Sequence, residues 1–157
     1  MKWLFSIVLL SLSSLTLAQG TGYMDADNYG EAIGLFEFQL LTTDNYMEEC
    51  SSRFPALVAE MQRNRDVWRT KDKQVHDIVR LIVAKRNKAH PEVSQQMAAM
   101  SKENVTRIFA NFDSLSNQAP QQVKVVAQQA CQKHFEERAS GVWRMRIPKA
   151  YDFVEAH

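Results

Sequence analysis

The sequence predicts an all-α protein, an antiparallel four-helix bundle with a short C-terminal tail that is crosslinked by one disulfide. Three observations carry this prediction. The 157 residues include only five glycines and four prolines, so long segments contain neither helix-breaking residue. Apolar residues recur every three or four positions, the spacing that places them on one face of a helix. Pro55 and Pro91 stand where successive segments begin, a position that suits the first turn of a helix, and residues 117–120 form a further break.

The first helix is expected to begin at residues 25–28, where Asp and Asn side chains can cap the exposed backbone N–H groups. Further apolar side chains widen the face of this helix, so we expect it to be central or to meet a partner chain. Gly34 costs about 1 kcal/mol relative to Ala in a helix, or else it marks a close helix crossing. The seam of the helix is Tyr29, Ile33, Phe36, Leu40, Thr43, Met47 and Cys50.

The second segment opens at Pro55 and carries an apolar residue at every seventh position. Between residues 64 and 73 the companion positions are polar, which permits two interpretations. A break near Lys71 would give two helices, and five in the chain, whereas one long helix would lean its polar middle into solvent. Residues 56–90 contain no Gly or Pro, so we favour a continuous helix. The stripe is Phe54, Met61, Trp68, Val75 and Ile82.

Two more helices follow. The third begins at Pro91, and the fourth is expected to end at Gly141. The stripe of the third helix is Val93, Met97, Met100, Val105, Ile108, Phe112 and Leu115. The inner side of the fourth is Val123, Ala127, Ala130, Cys131, His134 and Arg138.

The C-terminal tail has a different pattern, because residues 142–148 alternate with a period of two. Trp143, Met145 and Ile147 share one face, and Arg144 and Arg146 share the other. A tail this rich in aromatic residues is expected to pack over one end of the bundle.

Residues 1–18 have the pattern of a signal peptide: a single Lys2, a short apolar stretch and small residues before Gln19. The alternative is an N-terminal membrane anchor, although the apolar stretch is short for a span. We expect residues 19–157 to form one helical domain, without stable membrane insertion after cleavage. The chain is then exported, to the periplasm or outside the cell.

The two cysteines of an exported chain are most simply paired, which predicts a Cys50–Cys131 disulfide. Two buried free thiols are the alternative. Removing residues 1–18 takes away Lys2 and no acidic residue, which leaves 18 basic and 18 acidic residues. This balance argues against nucleic acid or an anionic membrane as the main partner, because both require clustered positive charge.

The sequence offers little catalytic chemistry. It contains no Glu-x-x-His motif, and its nearest acid–histidine neighbours are Asp72 with His76 and His134 with Glu137. It also lacks a Gly-x-Ser-x-Gly motif and a phosphate-binding glycine loop. We therefore expect no metal or cofactor, favour a non-enzyme, and keep a metal-dependent enzyme as the third hypothesis.

The leading functional hypothesis is a non-enzymatic protein-interaction module that uses the apolar first helix and the aromatic tail for a partner or for self-association. The second hypothesis is a carrier that holds a small apolar ligand between the helices. Arg65, Trp68 and Arg69 are a candidate binding surface, a shallow cleft for an acidic or aromatic ligand, unless Trp68 is a core residue. Asn104 begins a formal glycosylation site that we expect to remain unused.

Overall fold

The computed structural model describes residues 25–157, and every regular element in that range is helical. The all-α class and the Cys50–Cys131 disulfide are therefore confirmed. The predicted signal peptide lies outside the described residues. A short 3₁₀ turn, Pro55–Leu57, precedes the second helix. The helices are α1 (Tyr29–Arg53), α2 (Val58–Lys71), α3 (Lys73–Ala89), α4 (Pro91–Ser116), α5 (Pro120–Ser140), α6 (Val142–Arg146) and α7 (Pro148–Glu155).

The start of α1 follows the capping chemistry that its sequence predicts. The side chain of Asn28 accepts the backbone N–H of Glu31 at 2.9 Å, and the Glu31 carboxylate accepts the backbone N–H of Asp27 at 2.9 Å. These reciprocal bonds satisfy N–H groups that a helix start leaves without partners. Within α1, a Cβ built on Gly34 meets nothing within 4 Å, so this glycine does not mark a close helix crossing.

The second segment is broken at Asp72, so the favoured continuous helix was wrong and the five-helix alternative describes this region. Asp72 leaves helical geometry, with φ −103° and ψ 24°. Its carboxylate is buried and accepts hydrogen bonds from Tyr151 at 2.6 Å and from Arg144 at 3.5 Å. No local breaker is needed, because these contacts from the distant C-terminus hold the bend. As a result α2 packs mainly on α5, while α3 packs on α1, α4 and α7.

Contacts along the helices give their relative directions. The disulfide and the Thr43–Arg138 hydrogen bond show that α1 and α5 are antiparallel. In contrast, α1 and α4 run the same way and pack side by side. In a simple up-and-down bundle, helices that follow each other in the chain are antiparallel. Here α3 lies between α2 and α4 in the chain and leads back towards the start of α1, so that α4 runs in the same direction as α1. The contacting pairs of α1 and α4 are Glu37–Ser94, Thr42–Ser101 and Arg53–Asp113.

Two apolar clusters form the core. One lies where α1, α3 and the C-terminal helices meet, and the other surrounds the disulfide. The predicted seventh-residue stripe does not stay together, because the bend at Asp72 sends Met61 and Val75 to different clusters, and Trp68 belongs to neither. The buried members of the first cluster are Ala26, Ala32, Ile33, Phe36, Val75, Val79, Ile147, Ala150, Tyr151 and Val154. Those of the second are Cys50, Phe54, Leu57, Met61, Val105, Phe109, Ala127, Cys131 and Phe135.

The C-terminal tail packs on α1 and α3, as expected, but as two short helices. The period-two interpretation was wrong: Met145 is 76% exposed and Ile147 is 0% exposed, although the pattern assigned them to one face. Gly141, with φ 83°, ends α5 as predicted. The N-terminus of α7 is capped across the chain, because the Asp25 carboxylate accepts the backbone N–H groups of Lys149 and Ala150, both at 2.9 Å.

None of the helices in residues 25–157 combines the length and the apolar character that a membrane span requires.

Candidate functional site

The structure brings together two of the three residues of the predicted binding surface. Arg65 and Arg69 lie one turn apart on α2, and both reach Asp44 of α1, at 3.6 Å and 3.0 Å. Trp68 points the other way and is 1% exposed, so it is a core residue and does not line an open surface. Its indole ring meets the His76 ring edge-on, with the centroids 4.5 Å apart.

Arg69 also lines a half-open groove of about 280 Å³, which we name the α1–α3 groove. Its floor is aliphatic and comes from two helices that cross, Leu40 and Leu41 on α1 with Val79 and Val83 on α3. The remaining lining side chains are polar and stand at the ends: Glu37, Asp44, Arg69, Arg80, Asn87 and Ser94.

One end of the groove carries excess positive charge. Asp44 is the carboxylate paired with both Arg65 and Arg69, and within residues 25–157 Arg80 has no ion-pair partner at 4.0 Å or less. Arg65 and Arg69 therefore share one carboxylate, and Arg80 adds a third guanidinium group, which acts electrostatically on Asp77 one turn earlier on α3. The Nε atoms of Arg65 and Arg69 are covered by protein and have no hydrogen-bond partner in the described structure. This end is suited to a carboxylate, for which arginine offers several donors in a fixed geometry.

The opposite end is polar, and its buried carboxylate is paired. The Glu37 carboxylate is 5% exposed and accepts from Arg86 at 2.7 Å and from Ser94 at 2.6 Å. Ser94 in turn accepts from Arg86 and lies 2.7 Å from the amide oxygen of Asn87. The Glu37 and Arg86 charges therefore neutralise each other, although Nε of Arg86 is covered by protein and has no hydrogen-bond partner among the described residues. Glu37 was not among the predicted site residues, although an acidic residue between Phe36 and Phe38 is a signal of a buried ion pair.

Beneath the bend lies a buried polar cluster. Tyr151 donates to Asp72, and the Arg144 guanidinium lies 4.2 Å from the centre of the Tyr151 ring. Burial raises the pKa of the Tyr151 hydroxyl well above its usual range, and the bond to Asp72 acts in the same direction. The Trp68 N–H forms no well-aligned hydrogen bond in the described chain, although its proximity to the Tyr151 oxygen acts to lower that pKa.

Two histidines, one buried and one half-buried, have lowered pKa values. His76 is 2% exposed, and neither ring nitrogen has a hydrogen-bond partner among the described residues. Burial lowers its pKa to about 4; Asp72 opposes this shift, while Arg80 and Arg69 add to it. His134 stacks on Tyr46 with the ring centroids 3.8 Å apart. Burial, and secondarily Arg138, lower the His134 pKa well below its ordinary value.

Arg138 lies between two indole rings. Its guanidinium carbon is 5.4 Å from the centre of the Trp68 ring and 5.1 Å from that of Trp143, and Nε donates to Thr43 at 2.6 Å. Cation–π contacts of this kind are strengthened when they exclude water. This arrangement fixes the inner side of α2, and therefore the position from which Arg69 reaches the groove.

Metal and thiol chemistry both place requirements on the described residues. Within residues 25–157 no three His, Cys, Asp or Glu side chains gather as a metal would need, and Asp72 bonds to Tyr151 and Arg144 and not to His76. The disulfide uses both cysteines, so neither offers a thiolate. A wider depression of about 550 Å³ on α5 is lined by polar side chains alone: Gln129, Gln132, Lys133, Glu136, Glu137 and Ser140. The α1–α3 groove alone combines aliphatic surface with excess charge among these sites.

Comparison with protein-family models, with characterised proteins and with solved structures found no match to this chain.

Proposed function

We propose that this chain is an exported, non-enzymatic helical protein that acts by contact with another protein. The α1–α3 groove carries the proposal, because Leu40, Leu41 and Val83 on its aliphatic floor are only half-buried and the arginines beside it outnumber their carboxylate partner. A disulfide is typical of an oxidising compartment, and residues 1–18 have the pattern of a signal peptide.

The proposed contact surface is the groove and not the apolar first helix and aromatic tail that the sequence pattern favoured. Most of the apolar side of α1 packs against α3 and α7, as the contacts among Phe36, Val79 and Tyr151 illustrate. The aromatic tail contributes to the same cluster. Leu40 and Leu41 of α1 are only half-buried, and both line the groove.

An open groove favours a protein partner over a small carried ligand. Sites for small molecules typically enclose about 300–1,000 Å³ and bury about 70–90% of the ligand surface. A molecule of that kind in the α1–α3 groove, at about 280 Å³, would keep one side in water. A protein segment covers the groove with the rest of its own chain, so its apolar side chains would be shielded from both sides.

The test is photo-crosslinking in the native compartment, with p-benzoylphenylalanine in place of Leu41. The matched control carries the same group in place of Leu81, which is 71% exposed on α3. We expect a protein adduct at Leu41 and none at Leu81. Native mass spectrometry of the unmodified protein provides the second readout. A monomer with a small adduct would support the ligand carrier, and a bare monomer without crosslinks would contradict the proposal.

A further inference from the structure

We infer that the α1–α3 groove recognises a segment of the partner protein in which aliphatic side chains stand next to carboxylates. This inference rests on the proposed function and names the chemistry of the partner. Three features of the groove lead to it: the composition of its floor, the distribution of its charges and its openness.

The floor selects for aliphatic side chains. Its apolar surface comes from two leucines and two valines, and no aromatic residue lines the groove. A volume of about 280 Å³ admits a few side chains of moderate size but no second helix laid in full depth. Burying such side chains contributes about 25 cal/mol for each Å² of apolar surface removed from water.

The charge at one end selects for carboxylates. Arg80 lines the groove, is exposed and has no ion-pair partner in the described chain, and Arg69 lines the same end while Nη2 bonds to Asp44. A carboxylate here gains charge-assisted hydrogen bonds, whereas a lysine would meet like charge. The other end does not favour a charged group of either sign, since Glu37 is paired with Arg86 and accepts a hydrogen bond from Ser94.

Titration with synthetic peptides tests the inference directly. The probe is acetyl-Ser-Glu-Leu-Leu-Glu-Ser-amide, and binding is followed through the methyl NMR signals of the intact, disulfide-bonded protein. One matched peptide replaces both Glu with Lys, and another replaces both Leu with Ser. We expect saturable shifts of the Leu40, Leu41, Val79 and Val83 methyl groups with the first peptide and at least about tenfold weaker binding of the other two.

Protein variants distinguish recognition of charge from non-specific binding. Removing both groove cations, in Arg69→Gln with Arg80→Gln, should weaken binding of the first peptide about tenfold and reduce its salt dependence. Arg80→Gln alone is a second variant for the case that the double variant does not fold. It removes a groove cation without removing any ion pair of the described chain. Arg53→Gln is the control, since this arginine pairs with Asp113 on another surface and should leave binding unchanged.

The outcomes distinguish the inference from the function on which it rests. Equal binding of the Glu and Lys peptides, shifts at Val125 and Val126 in place of the groove, or no shift at millimolar peptide would each overturn the inference. If a partner nevertheless crosslinks at Leu41, the proposed function stands and the partner chemistry is different. If no protein crosslinks and no peptide binds, both fail.

Discussion

The Tyr151 hydroxyl donates a 2.6 Å hydrogen bond to the Asp72 carboxylate, although 79 positions separate the two residues. This bond joins α7 to the bend between α2 and α3, and Arg144 adds a weaker contact at 3.5 Å to the other carboxylate oxygen. The bend turns α3 away from α5 and towards α1, where Val79 and Val83 meet Leu40 and complete the floor of the groove. The C-terminal tail therefore shapes a site that it does not line.

Removing the Tyr151 hydroxyl should destabilise the fold. In Tyr151→Phe the Asp72 carboxylate, which is 7% exposed, loses its shorter hydrogen bond, and we expect a loss of about 1–3 kcal/mol. Urea unfolding followed by circular dichroism measures the change. Tyr29→Phe is the control, because the Tyr29 hydroxyl makes no hydrogen bond in the described chain, and its effect should stay below about 0.5 kcal/mol. Equal stability of the two variants would show that the Asp72 bond is not what holds the bend.

The disulfide closes a loop with a sequence separation of 81 residues. In the chain-entropy treatment, opening such a loop by replacing Cys50 and Cys131 with Ser costs about 4–5 kcal/mol. We expect a correspondingly lower urea midpoint with an α-helical circular dichroism spectrum retained at low urea. The wild type with and without reductant gives the same comparison without mutation. A midpoint that reductant leaves unchanged would contradict the prediction.

Stability should fall as the pH is lowered, because His76 is neutral in the folded state. Its pKa is about 4 when folded and 6.5 when unfolded, so between these values the unfolded chain binds more protons. The contribution of neutral His76 to the free energy of unfolding is therefore complete above pH 6.5. It falls by about 2–3 kcal/mol as the pH is lowered towards 4. Unfolding free energies of wild type and His76→Gln, measured from pH 7 to pH 4, should diverge in slope by this amount. Parallel curves would assign the acid sensitivity to other groups, His134 among them.

Two glycine substitutions should act in opposite directions. Neither Gly34 nor Gly141 has an atom within 4 Å of an added Cβ, so packing is not at issue. Gly141 has φ 83°, where an L side chain costs about 1–2 kcal/mol, so Gly141→Ala should destabilise the protein. Gly34 lies inside α1, and Gly34→Ala should stabilise it by about 0.5–1 kcal/mol. Thermal unfolding midpoints that move the same way for both would contradict this reasoning.

The candidate site was only partly visible in the sequence. Arg69 was singled out from its neighbourhood on α2, and it does line the groove. Trp68 was grouped with it by proximity along the chain, yet the two side chains point to opposite sides, because neighbouring positions on a helix are about 100° apart. Glu37 and Ser94 were missed, since 57 positions separate them and their contact depends on α1 and α4 packing side by side.

The sequence by itself determined the features that nearby residues control. The helical class, the starts at Asn28 and Pro55, and the stop at Gly141 all follow from periodicity, capping and the backbone freedom of glycine. The disulfide was also determined, because two cysteines allow a single intrachain pairing. Each of these signals acts over a few residues or, for the disulfide, allows a single intrachain pairing.

The tertiary structure alone decided the bend, the helical tail and the groove. Residues 56–90 contain no local breaker, and the bend exists because Asp72 is buried against Tyr151 and Arg144. The tail became helical because α7 buries Tyr151 and Val154 in the core and receives its N-terminal cap from Asp25. These outcomes depend on burial and on hydrogen bonds between residues far apart in the chain. A pattern of neighbouring residues does not contain that information.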